Sequence, residues 1–235
     1  MAAHDLDFFA GGVPAGTLFQ LSAREIKKVL SAKQDNAIGE TLEEICYIGL
    51  IAYFEAFCRD CFASLINICP MLLERLKSNS YDVNIDSLAA LEMGNMLCYN
   101  IGFLVAVRFD FGSARKINAL YSALIGITPF SKDEIKIFDE ILSDRNLLVH
   151  HGGIYTYSYF LQRIGIASNE TRPFFDSLRV DTDYFNSRYN FLYKIAEKVV
   201  KASHAMVTKE FATGSLVIDP SAHGALNYFN WWDEE

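Results

Sequence analysis

The chain has 235 residues, 51% of them apolar and 21% charged, and a formal net charge of −8. A chain of that length and apolar share can bury a sizeable core in one domain. The acidic balance excludes a broad nucleic-acid-coating surface, which needs clustered Lys and Arg to displace counterions, but leaves room for a small positive cleft.

In chain order, residues 1–16 form a Gly- and Pro-bearing arm expected to be weakly ordered. Helical periodicity then predicts a helix over about 17–33, with Ser22, Arg24, Lys27 and Lys28 on its polar side. A longer pattern over 39–69 stops at Pro70, which has no N–H to continue the ladder. Its middle, I-C-Y-I-G-L-I-A-Y-F-E-A-F-C-R-D-C-F, is apolar on nearly every face, so this helix is the expected centre of the core. Glu55 is its one carboxylate between Ile45 and Arg59. The favoured reading is an i, i+4 pair with Arg59 at the rim; the alternative is a buried counter-charge for Arg145.

The five cysteines (46, 58, 61, 69 and 98) are odd in number and sit in apolar helical contexts, so they read as packed thiols in a reducing compartment. Cys58 and Cys61 form a C-x-x-C with no second pair or nearby histidine to complete a tetrahedral site, so no metal is expected. The start lacks a signal-peptide pattern. The most apolar run, Ile45 to Phe54, is too short to span a bilayer. These features predict a soluble cytoplasmic protein without a membrane partner.

A third helix is expected over 87–108, where Gly94 and Gly102 imply close approach or a local weakness. A short helix follows over 112–126, with Arg115 and Lys116 in its first turn, against the dipole. S-K-D-E at 131–134 is a capping box, Ser131 with Glu134, and opens the helix that carries the most informative residues. From Lys132 to Val149, the apolar residues Ile135, Phe138, Ile141, Leu142, Leu148 and Val149 fall in one stripe at about 100° per residue. Arg145 lies near the middle of that stripe, and desolvating a guanidinium costs several kcal/mol unless charge or hydrogen bonds replace the water. Asp139, Ser143, Asn146 and His150 line one flank, and His151 lies further round. A buried-side arginine beside a polar strip ending in histidine describes a site. His150 and His151 before Gly152-Gly153 equally describe an ordinary helix end, where cations suit the dipole and glycine stops the helix.

Beyond Gly153, the tyrosines at 155, 157 and 159 alternate with a two-residue period that predicts an extended segment or hairpin edge. Residues 151–182 read as a long loop of the kind that serves function or a partner, and Asn169-Glu170-Thr171 within it has glycosylation-acceptor form. A last helix is expected over 183–211. The tail, 212–235, ends N-Y-F-N-W-W-D-E-E and is expected to dock on its own domain or on a second copy.

A helical domain whose penultimate long helix ends in R-N-L-L-V-H resembles the HEPN superfamily, whose motif is Arg-x4-6-His with a polar residue, often Asn, after the arginine. Here these positions are Arg145, Asn146 and His150, and the Y-F-E-A-F-C-R-D-C-F helix resembles the long second helix of several subfamilies. The resemblance covers residues 17–211. It implies an all-α bundle and a homodimer that sets two motifs face to face. It also implies a metal-independent endoribonuclease without a cofactor, in a toxin or antiviral-defence setting with RNA and an antitoxin or defence protein as partners. Arg145, Asn146 and His150 would then be catalytic, with His151, Glu55 and Asp139 supporting. Tyrosine two places after the histidine, which marks a modified variant of the motif, is replaced here by Gly152. Inactive members of the family imply the alternative of a module that binds nucleotide, RNA or protein. A third reading is a helical scaffold in which Arg145 pairs with Glu55 for stability.

Overall fold

The computed structural model describes residues 4–32, 38–163 and 176–233. Among them the fold is all-α: helices α1 (Ala15–Ser31), α2 (Ile38–Ile68), α3 (Leu72–Ser78), α4 (Ser87–Met93), α5 (Leu97–Ala106), α6 (Ala114–Ile125), α7 (Lys132–His151), α8 (Tyr157–Arg163), α9 (Thr182–Ala212) and α10 (His223–Phe229). Part of the expected loop, including Asn169-Glu170-Thr171, lies outside the described residues.

Helix α2 is apolar all round because helices surround it: α1, α5, α7, α9 and α10 pack against it. Tyr47, Leu50, Phe54, Phe62 and Ile66 along it are fully buried. Cys58 and Cys61 both point into this core, and burial pushes their thiols well above the usual range.

From His4 onward the N-terminal arm is more ordered than its composition predicts. His4 and Asp7 cap a 3-10 turn (Asp5–Phe8), and Phe8 and Phe9 are buried. Two adjacent phenylalanines hold the arm through contacts that lie far away in sequence. Asn67 of α2 clamps it: its Nδ2 donates to the Phe8 carbonyl (3.0 Å), and its Oδ1 accepts from the Gly102 amide (2.7 Å).

The helix expected over 87–108 is two helices. Gly94 adopts φ 52°, which breaks the ladder between α4 and α5. By length and composition the stretch Ser87–Ala106 is apolar enough to cross a membrane, with a mean hydropathy of 1.3 and 11% of the window buried; Leu88 and Leu91 are exposed. Gly102 marks a close approach. A β-carbon there would lie 2.0 Å from the Ala63 carbonyl oxygen of α2 and 2.8 Å from Asn67 Oδ1. Gly102→Ala is therefore expected to destabilise the fold by about 2 kcal/mol through overpacking, read as a lower urea midpoint at unchanged slope.

Helix α7 begins as expected, with reciprocal capping between Ser131 and Glu134, and stops at Gly152, φ 56°. The tail docks on its own domain. Phe229 and Trp232 are buried, and Gln20 of α1 donates to the Asp233 carbonyl at 3.0 Å.

Candidate functional site

The buried side of α7 shares Phe138, Ile141 and Leu148 with the predicted stripe but is shifted around the helix toward Asp144 and Leu147. Phe138, Ile141, Asp144, Leu147 and Leu148 face inward, whereas Val149 is 48% exposed and Arg145 sits at the rim. The helix is rotated about one residue step from expectation, because Asp144 rather than Arg145 enters the core.

Asp144 has no exposed surface, and a carboxylate there needs donors to replace its water. Tyr159 of α8 donates its hydroxyl at 2.7 Å, and Tyr184 of α9 donates to the other oxygen. Burial, and then the bond to Asp144, push the Tyr184 phenol up, so it stays a donor at neutral pH. Arg188 lies over the Tyr184 ring, 4.9 Å from its centroid, and also reaches Glu140 at 3.3 Å. One carboxylate thus ties α7, α8 and α9 together immediately behind the end of α7.

Of the tyrosines that alternate in sequence, Tyr157 and Tyr159 lie in α8, whereas Tyr155 precedes it beside an isolated antiparallel bridge between Ile154 and Ser177. Tyr155 and Tyr159 stack at 5.3 Å, and the expected extended character holds only as far as Tyr155 before α8 begins at Tyr157. The chain that returns after the loop pairs with its start: Leu178 donates to the Gly153 carbonyl at 2.9 Å, and Tyr155 to the Asp176 carbonyl at 3.1 Å.

Arg145 donates from Nη2 to Glu55 Oε1 at 2.7 Å, with side chains 28% and 26% exposed. The favoured Glu55–Arg59 pair is thereby corrected. Arg59 instead donates from Nε to its neighbour Asp60 at 3.0 Å, because Glu55 turns across the interface toward α7. Beside the ion pair opens a cleft of about 420 Å³, lined by Ala52, Glu55, Arg59, Asp110, Gly112 and Arg145 among others. The Lys116 ammonium, and then the Gly112 amide, hold the Asp110 carboxyl below its usual range. Arg145→Ala is expected to cost about 1–2 kcal/mol, between an exposed and a buried pair, in urea denaturation.

Asn146, His150 and His151 are exposed and line a different recess of about 160 Å³, together with Ser143, Thr156 and Gln162, with buried Tyr159 among its walls. Within one chain Arg145 and His150 do not meet. Five residues separate them by about 140° around the helix and about 7.5 Å along it. They bound one exposed arc of α7, with Val149 and Asn146 between them. Asp139 pairs with Arg115 of α6 at 2.8 Å, about 16 Å back along the helix from His150 by its eleven-residue spacing. It therefore takes no part in the histidine recess.

Sequence reasoning missed Asp144, Tyr159, Tyr184 and Arg188. The adjacency of Asp144 to the motif was visible, but its donors come from two other helices. The chain matches no protein-family model, no curated protein and no solved structure, so the site is read from its own geometry.

Proposed function

We propose that this chain is a metal-independent endoribonuclease of HEPN type that works as a cytoplasmic homodimer in a toxin or antiviral-defence setting, with an antitoxin or defence protein as a further partner. The observation that carries this reading is the exposed arc of α7, edged by a guanidinium and an imidazole, with apolar Val149 between them. A two-fold axis over Val149 sets the arginine edge of one copy opposite the histidine edge of the other, so each composite site draws on both chains.

In that site His150 takes the proton of a ribose 2′-hydroxyl, whose oxygen attacks the adjacent phosphorus. The bond from phosphorus to the 5′-oxygen breaks, and that oxygen takes a proton from water. The products are a 2′,3′-cyclic phosphate and a 5′-hydroxyl. Arg145 stabilises the charge that develops on the phosphoryl oxygens, an effect of roughly 3 kcal/mol per well-placed donor. Asn146, one turn before His150, orients the ring or a phosphate oxygen. Purified protein is expected to cleave structured RNA in EDTA, and His150→Ala to lose that cleavage; equal cleavage by the two proteins refutes the assignment.

A second reading, a non-catalytic module that binds RNA, nucleotide or protein through the same arc, is favoured by the Glu55 contact, which occupies Arg145 within its own chain. It predicts RNA binding without cleavage in either protein.

A further inference from the structure

The cleft beside the Glu55–Arg145 pair holds groups other than Arg145 that the nuclease reading does not use. Two guanidinium groups, Arg145 from α7 and Arg59 from α2, line the same recess, and Glu55 stands one helical turn before Arg59. Ala52 and Ala56 lie on the same face of α2 and are small, which keeps the floor open. From Ala52 to Arg59 the recess follows α2 for about 10 Å, longer than a single phosphate needs.

The carboxylate of Glu55 meets Arg145 at 2.7 Å, the distance at which a guanidinium holds a phosphate oxygen. Asp60 engages Arg59 through Nε, and guanidinium carries four more N–H groups on its terminal nitrogens, in a fork that suits phosphate. The remaining acidic wall, Asp110, is matched by Lys116, which weakens its repulsion of an incoming anion.

We infer that this cleft is a docking groove for the RNA backbone, in which Arg59 is a second phosphate ligand and Glu55 holds the place of phosphate on Arg145 until RNA displaces it. The inference rests on the RNA-directed reading above and adds to it a binding track on α2 and a built-in competitor. Each RNA that binds must break the Glu55–Arg145 bond, so Glu55 lowers affinity for every sequence alike. Arg59 raises affinity for every sequence alike, because backbone contacts carry no base information.

The test uses full-length protein and a short single-stranded RNA carrying 2′-O-methyl groups, which binds without being cleaved. Binding is measured by fluorescence anisotropy across a salt series, with thermal unfolding to confirm that each variant is folded. Arg59→Ala is expected to weaken binding roughly tenfold and to flatten the salt slope by about one unit. Glu55→Gln, which keeps the shape and removes the charge, is expected to tighten binding roughly threefold or more; Glu55→Ser serves if the glutamine variant does not fold. If both variants bind as wild type does while His150→Ala still abolishes cleavage, the groove is wrong and the nuclease reading stands. If wild type neither binds nor cleaves RNA, both are wrong. If inorganic phosphate responds to these variants and RNA does not, the cleft is a site for free phosphate and the RNA groove is overturned.

Discussion

Replacing Asp144 with alanine is expected to lower the unfolding free energy by about 3–4 kcal/mol, because the hydroxyls of Tyr159 and Tyr184 are left without their acceptor. Each is a buried or half-buried donor, and a cavity forms where the carboxylate stood. Asp144→Asn keeps the volume and one acceptor oxygen, so it is expected to cost about 1–2 kcal/mol. Tyr159→Phe leaves Tyr184 on the carboxylate and is expected to cost about 1 kcal/mol. Urea unfolding of the three variants checks this order, and an Asp144→Ala loss under about 1 kcal/mol contradicts the carboxylate as the junction of α7, α8 and α9. The alanine variant should also loosen the histidine recess, since Tyr159 belongs to both the junction and the recess wall. Hydrogen exchange at the amides of α8 is expected to rise more than at those of α2.

His150→Ala is expected to do the opposite, with no measurable loss of stability and a large loss of activity. The side chain is exposed at the last turn of α7, so its removal leaves neither a cavity nor a buried partner. If His150 carries the proton of the attacking hydroxyl, RNA cleavage should fall by roughly 10²–10⁴-fold, the range for a general base or acid. Mixing His150→Ala protein with Arg145→Ala protein separates composite sites from single-chain ones. In a heterodimer, one composite site loses both groups and the other keeps both, so partial activity should return on mixing. Mixtures as inactive as their components contradict an arc shared across a two-fold axis.

Much of the α-helical framework is legible without coordinates, because its signals are local. Pro70 and Gly126 stop helices for reasons contained in their own backbones, and Ser131 with Glu134 starts one for the same kind of reason. The central place of α2 follows from its unbroken apolar character. The short helices α3, α8 and α10 are harder to see, since seven residues give too few turns for periodicity to exceed chance. Tyr155, Tyr157 and Tyr159 show the ambiguity well: spacings of two and four coexist in the same three residues.

The sequence by itself determined that this protein is helical, that α2 forms its core, and that an arginine, an asparagine and a histidine share the closing turns of α7. Only the tertiary structure decided which way those turns face. Periodicity counts Asp144 as polar and assigns it to solvent, while two phenols from the next two helices make the interior its place. The same rotation moves Arg145 out to Glu55, 90 residues earlier in the chain, and leaves His150 in a separate recess. A hydrophobic pattern ranks residues by their average cost of burial, and that average fails wherever a polar group meets its partners across the fold.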